Sequence, residues 1–155
     1  MAEEKILLPY NFTGNDQKAL NFVIRTFAPR KKEVEITLFN AFTQPPRIET
    51  TRSTVMEKLQ SNINLIQQRI KEQEKDLKAA KEILMQSGFP EANIRVVFRP
   101  RSKDIASEIV DLAAGEGSTV IVLNRKPGRV SHFFTGSIFN KVVLGAADKT
   151  VCVVS

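Results

Sequence analysis

Short apolar runs recur along this chain, separated by segments of helical spacing, and this alternation constrains the fold more than any other feature. The apolar runs are Lys5–Pro9, Val34–Phe42, Ile94–Arg99, Val120–Leu123 and Val151–Val154. Between the first two, Ala19, Leu20, Val23, Ile24 and Phe27 recur at steps of three and four, the spacing of one buried helix face. That helix reads as capped by Thr13, with Asp16 in the capping-box position, and ended by Pro29. Further helices are expected over Arg52–Ser87, Asp104–Ala114 and Ser137–Ala146, with Thr43–Thr51 a loop and Gly115–Ser118 a turn. Five strands alternating with four helices imply right-handed βαβ units and a parallel sheet. The Ile6-Leu7-Leu8 run is too apolar for a strand with one wet face, so helices are expected on both faces. The expected order is 3-2-1-4-5, with the topological switch point between the first and fourth strands. At 155 residues, one domain spanning 1–155 is expected.

The second helix is out of scale. At about 36 residues it would run roughly 54 Å, against about 20 Å for a six-residue strand. Leu59, Ile63, Ile66, Ile70, Gln73, Leu77, Ala80 and Leu84 form a heptad-like stripe along it. Two readings are open. The C-terminal half packs on the sheet and the rest overhangs, or the stretch Leu59, Ile63, Ile66, Ile70 docks on a partner protein.

The switch point brings together the loop Pro9–Gly14 and the basic loop Asn124–Thr135, which leads into Gly136-Ser137 at a helix start. A helix N-terminus offers free N–H groups and a positive dipole end, which suit phosphate. Arg99, Arg101, Lys103, Arg125, Lys126 and Arg129 follow the third and fourth strands on this edge. Net charge is +6, but most basic residues on the long helix are interleaved with acids and not with aromatics, so nucleic-acid binding is not expected. No stretch of about 18 apolar residues would span a membrane.

Several chemistries are disfavoured. The single His132 and single Cys152 cannot build the usual zinc ligand set, no general base stands out near the basic loop, and His132 on that loop reads either as a phosphate contact or as an exposed residue with no role. Cys152, in an apolar strand, reads as a small core side chain. There is no Gly-Lys-Ser/Thr for a phosphate loop, and no glycine fingerprint after the first strand. Tyr10-Asn11-Phe12 supplies no acid for a phosphoacceptor site. No enzymatic turnover beyond weak nucleotide hydrolysis is expected.

The residues Lys5–Thr13 with Lys18-Ala19-Leu20, Glu33–Ala41, Asp104–Ile109, Thr119–Leu123, Gly136-Ser137-Ile138, Lys141-Val142-Val143 and Val151–Val154 together resemble the universal stress protein family. The resemblance covers nearly the whole chain apart from the long helix. It implies an α/β fold with the layering of adenine-nucleotide alpha hydrolases and flavodoxins, a cytoplasmic location, a stress-response role, and a homodimer made through Val151–Val154. Many members bind ATP through Gly-x2-Gly-x9-Gly-Ser/Thr, with an Asp after the first strand at the nucleoside end. Here Asn11 stands at that Asp, Asn124 and Pro127 at the first two glycines, and the spacing to Gly136 is one residue short. Pro127 fixes φ and removes a donor where Gly would let phosphate approach. Carried onto this chain, the ligand-facing positions are Pro9, Tyr10, Asn11, Ala41, Asn124, Lys126, Gly128, Gly136, Ser137 and Ile138. Two functions follow from the resemblance and its departures. One is binding of ATP or another anionic nucleotide at the switch point. The other is a member that has lost ATP and acts through homodimerisation and protein association.

Overall fold

The computed structural model describes residues 3–45, 54–125 and 136–155. The elements run β1 (Glu4–Pro9), α1 (Asp16–Phe27), β2 (Val34–Phe42), α2 (Thr54–Gln86), β3 (Ile94–Pro100), α3 (Ile105–Glu116), β4 (Val120–Asn124), α4 (Gly136–Gly145) and β5 (Thr150–Val154). All strands are parallel, in the order β3-β2-β1-β4-β5. This is the doubly wound order that the alternation of elements implies.

Successive residues of a strand point to opposite faces, and in the central strands both faces are buried. On one, Ile6 and Leu8 of β1, Ile36 and Leu38 of β2 and Val122 of β4 pack against Ala19, Leu20 and Val23 of α1 and Leu77, Ala80 and Leu84 of α2. On the other, Leu7, Phe39, Ile121 and Leu123 meet Ile109 and Ala113 of α3 and Val142 of α4. Each fully buried Leu or Ile contributes about 1.5–3 kcal/mol of transfer free energy. The runs of the inner strands β1, β2 and β4 are therefore apolar because neither of their sides meets water, whereas the edge strands β3 and β5 keep exposed positions. Cys152 is half-buried against the first cluster, and burial pushes its thiol pKa up, in keeping with a packing role.

The long helix α2 is continuous over its 33 residues. Leu77, Ala80 and Leu84 lie on the sheet, whereas Val55, Leu59, Leu65 and Ile66 are exposed. The overhang is the outcome the element lengths demand. Of the four residues read as a partner-docking stripe, Leu59 and Ile66 are exposed, Ile63 is buried and Ile70 is half-buried. The stripe is thus not one uniform outward face.

Two local expectations are corrected. Thr13 is not the cap of α1. The helix starts at Asp16, with Asn15 in the cap position and no side-chain capping bond. The Thr13 hydroxyl donates instead to Asn11 Oδ1 at 2.7 Å, and Asp16 turns into the protein. Similarly, α3 does not stop at Ala114. It continues through Gly115 to Glu116 and ends where Gly117 takes the left-handed conformation, φ 68°, which costs glycine no Cβ clash.

Candidate functional site

The carboxyl ends of β1, β2 and β4 and the segments that follow them form the edge where a fold of this order binds ligands. At the β1/β4 switch point three polar side chains close on one another. Asn11 Nδ2 donates to Asn124 Oδ1 at 2.8 Å, and Asn124 Nδ2 donates to Asp16 Oδ1 at 2.8 Å. The backbone N–H of Asn11 donates to the same Asp16 oxygen at 3.0 Å, and Asn11 Oδ1 accepts from the Thr13 N–H and hydroxyl. Asn11 is 2% exposed, Asp16 6% and Asn124 0%. Burial raises the Asp16 pKa, and the N–H donors of Asn11, Asn124, Phe12 and Thr13 oppose that rise. The Tyr10 phenol beside them is also pushed up, by burial first and then by the carboxylates of Asp16 and Asp76.

Asn11 therefore turns its amide inward and spends it on Asn124 and Thr13. Among the described residues, the side chains at the head of the crevice between β1 and β4 thus bond one another. The larger opening lies one strand over. A cavity of about 380 Å³ sits at the end of β2. Its lining comes from Phe12 after β1, from Asn40, Ala41, Phe42 and the residues after them, from Ile66, Arg69, Ile70 and Gln73 of α2, and from Arg101 and Ile105. Two arginines and no acidic side chain are among these lining residues. Phe12 also borders a second hollow of about 290 Å³ between the start of α1 and α2, where Asp16 and Asp76 are found. Phe12 and Tyr10 meet edge to face, with ring centroids 6.0 Å apart.

The loop between β3 and α3 that carries Arg101 is held from within. Glu108, buried in α3, accepts from the Ser102 hydroxyl at 3.0 Å and from the N–H groups of Ser102 and Lys103. Burial works against its charge, yet these hydrogen bonds and nearby Arg99 hold the carboxyl below its ordinary value. The Arg101 N–H donates to the Phe42 carbonyl at 2.7 Å, tying this loop to the end of β2. Arg99 pairs with Glu108 and Lys103 with Asp111, so those two cations are committed elsewhere. Asp104 caps α3 by accepting from the Ser107 N–H.

The positions singled out from sequence separate as follows. Ala41 lines the cavity. Asn11 and Asn124 form the closed network, Pro9 is the buried end of β1, and Tyr10 lines the second hollow. Ile138, on α4, packs against the second hydrophobic cluster. Gly136 and Ser137 open α4, at the end of the loop from β4. Lys126, Gly128, Arg129 and His132 lie outside the described residues. Sequence reasoning missed Asp16 as a network member and Asn40, Arg69 and Phe42 as cavity residues. Two signals carried part of this. Asp16 falls on the buried stripe of α1 with Ala19, Leu20 and Val23, and Asn40 continues the inward face of Ile36 and Leu38.

Among the described residues no group of His, Cys, Asp and Glu could hold a metal ion, and no helix is long and apolar enough to cross a membrane.

The fold is similar to that of several solved proteins. The universal stress protein UspA from Lactobacillus plantarum superposes with a TM-score of 0.71 at 15% identity, covering 100% of this chain and 99% of that one. The universal stress protein from Archaeoglobus fulgidus in complex with dAMP gives 0.62 at 18% identity, covering 100% of both chains. A universal stress protein in complex with cAMP gives 0.58 at 14%, covering 99% of this chain and 98% of that one. No match was found among the curated proteins. The universal stress protein family model matches residues 3–155, essentially the whole of what has been described above, and the chain belongs to that family.

Proposed function

We propose that this universal stress protein is a cytoplasmic regulator that binds an anionic nucleotide, ATP or a smaller adenine-type nucleotide, at the carboxyl edge of its sheet. The observation that carries the reading is the cavity at the end of β2. It combines aromatic and aliphatic walls with Arg69 and Arg101, and no carboxylate lines it. Such a lining suits a flat ring with a phosphate at one end. The complexes of related proteins with dAMP and cAMP support the same class of ligand. The closed Asn11–Asn124–Asp16 group shifts the ligand toward β2, so Ala41 is its neighbour more than Asn11. Gly136-Ser137 at the start of α4 would meet the phosphates, with Lys126 and Gly128 on the preceding loop. The reading is one of binding and not turnover, since no His, Cys or carboxylate is among the residues lining the cavity.

Calorimetry on protein stripped of ligand tests this with ATP and AMP. Saturable heat, together with a rise in unfolding temperature, is expected, and Arg101→Ala weakens it. Absence of both signals at millimolar nucleotide would remove the ligand role.

A second reading, self-association, is favoured by a separate observation. The edge strand β5 pairs only with β4 among the described residues, and Val153 on it is exposed. On α4, Leu144 is 83% exposed and Val143 is also open to solvent. An unpaired apolar strand edge invites a second copy.

A further inference from the structure

The second hollow, between the start of α1 and α2, has the opposite chemistry to the cavity at the end of β2. Asp16 and Asp76 line it, with the rings of Tyr10 and Phe12 and the aliphatic side chains of Ala79 and Ile83. No lysine or arginine is among its described lining residues. Nor do the two acids have a cation of their own among the described residues. Asp16 is 6% exposed and accepts only from neutral N–H groups. Three and four positions from Asp76 stand Glu72, Gln73, Ala79 and Ala80, none of them basic. Lys78 pairs instead with Glu74 at 3.0 Å, and Lys81 with Glu91 at 3.8 Å.

An independent observation comes from Tyr10, which is 7% exposed. Its backbone is bound to β2: the N–H donates to the Phe39 carbonyl at 2.7 Å, and the carbonyl accepts from Asn40 Nδ2 at 3.0 Å. The side chain is therefore what meets the hollow, and its ring belongs to the hydrophobic cluster shared with α1 and α2. The hydroxyl has no hydrogen-bond partner among the described residues, yet the carboxylates of Asp16 and Asp76 are near enough to push its pKa up. A buried tyrosine hydroxyl ordinarily finds a partner, and phenylalanine would fill the same space without needing one.

We propose that the second hollow binds the ammonium group of a short aliphatic amine. The ammonium has three donors. It gives one to the Asp76 carboxylate and one to the Tyr10 hydroxyl oxygen, and the buried charge of Asp16 adds attraction without a direct bond. The aromatic rings of Tyr10 and Phe12 favour a cation beside them, and the alkyl stem lies along Ala79 and Ile83. A bare metal ion does not suit these walls, since no group of His, Cys, Asp and Glu among the described residues could hold one. The hollow shares only Phe12 with the lining of the cavity at the end of β2, so the amine site stands whether or not a nucleotide binds there.

The test titrates the intact protein, free of nucleotide, with putrescine, butylamine and butanol, and follows backbone amide chemical shifts. Saturable shifts at 14–17 and 76–83 are expected with both amines. Butanol has the same chain without the charge and is expected to produce none. Asp76→Asn should weaken amine binding by about threefold to tenfold, and Tyr10→Phe by about threefold. Nα-acetyl-lysine amide separates two sources of the same ammonium: tighter binding than butylamine assigns the hollow to a lysine side chain of a protein, weaker binding to a free amine. The proposal is overturned if millimolar amine shifts nothing there, if butanol binds as well as butylamine, or if either variant keeps the wild-type affinity. Asp76 is exposed, so its variant keeps the fold, and the comparison of butylamine with butanol needs no variant at all.

Discussion

Asp16 and Glu108 are both buried carboxylates, yet their surroundings move them in opposite directions. Asp16 has its pKa raised above 3.8, burial outweighing its N–H donors. The native protein therefore holds that proton more tightly than the unfolded chain does. Its stabilising contribution is complete below 3.8 and is lost as pH rises through the raised native value. Glu108 has its pKa lowered from 4.5, because donors from Ser102, Lys103 and Arg99 overcome burial. Its contribution is present above 4.5 and is lost as pH falls through the lowered native value. Urea unfolding across pH separates the two. The stability difference between wild type and Asp16→Asn shrinks as pH rises from below 3.8, whereas that between wild type and Glu108→Gln grows as pH rises toward 4.5. A difference that stays flat with pH in either variant contradicts the corresponding assignment. Asp16 also shows why the residue scale was only half legible. The acid was visible three residues after Thr13, in a capping-box position, but so was its place on the apolar stripe of α1. The partners that decide between those roles, Asn11 and Asn124, are separated by 113 residues of sequence.

At the scale of elements, the alternation of apolar runs located the five strands and four α-helices of the described residues, because burial of the central strands on both faces imposes it; the short 3-10 turns Ala28–Arg30 and Glu91–Asn93 carried no such signal. Boundaries moved where a single conformational fact overruled composition. Gly115 reads as a turn residue, yet it is helical and the left-handed stop falls on Gly117. The two glycines thus predict opposite outcomes. A Cβ at Gly115 meets nothing within 4 Å, so Gly115→Ala should stabilise the protein, by about 0.5–1 kcal/mol through lower chain entropy. A Cβ at Gly117 also meets nothing within 4 Å, but φ is +68°, so Gly117→Ala should destabilise by about 1–2 kcal/mol. Urea midpoints of the two variants on either side of wild type are the expected result, and a shift in the same direction would refute the placement of the helix end. The cavity at the end of β2 was less legible than the helices. Ala41 was read as a site residue, but Arg69 lies on α2 and Arg101 after β3. Only the three-dimensional return of the long helix over the end of β2 sets them around one space.

For the whole molecule, the parallel sheet follows from the alternation of strands and helices, and the order β3-β2-β1-β4-β5, with its switch point between β1 and β4, is the common one for five such strands. What filled the switch point could not be read that way. Asn11 and Asn124 look, in sequence, like residues that could greet a ligand, and in the structure they greet each other. Self-association belongs to this scale as well. Light scattering at micromolar concentration is expected to report a dimer. Val153→Lys, which places charge on the exposed strand edge, is expected to shift it to monomer with little change in unfolding temperature. A wild-type monomer would set aside pairing through β5.

The overhang of α2 has a mechanical consequence. The helix is clamped near Leu77 and Leu84, while Ile66 and Ile70, nearer its other end, form one side of the cavity. It is a cantilever with few buried residues beyond Ile63 and Ile70, and a guest lodged beside its beam would stiffen that end. Amide exchange in the stretch 55–70 should run faster than in 77–84 in the empty protein, and nucleotide should slow the former more than the latter. Occupancy at the sheet edge would then be felt at Val55 and Leu59, far from the phosphate, as a change in how still that end is held.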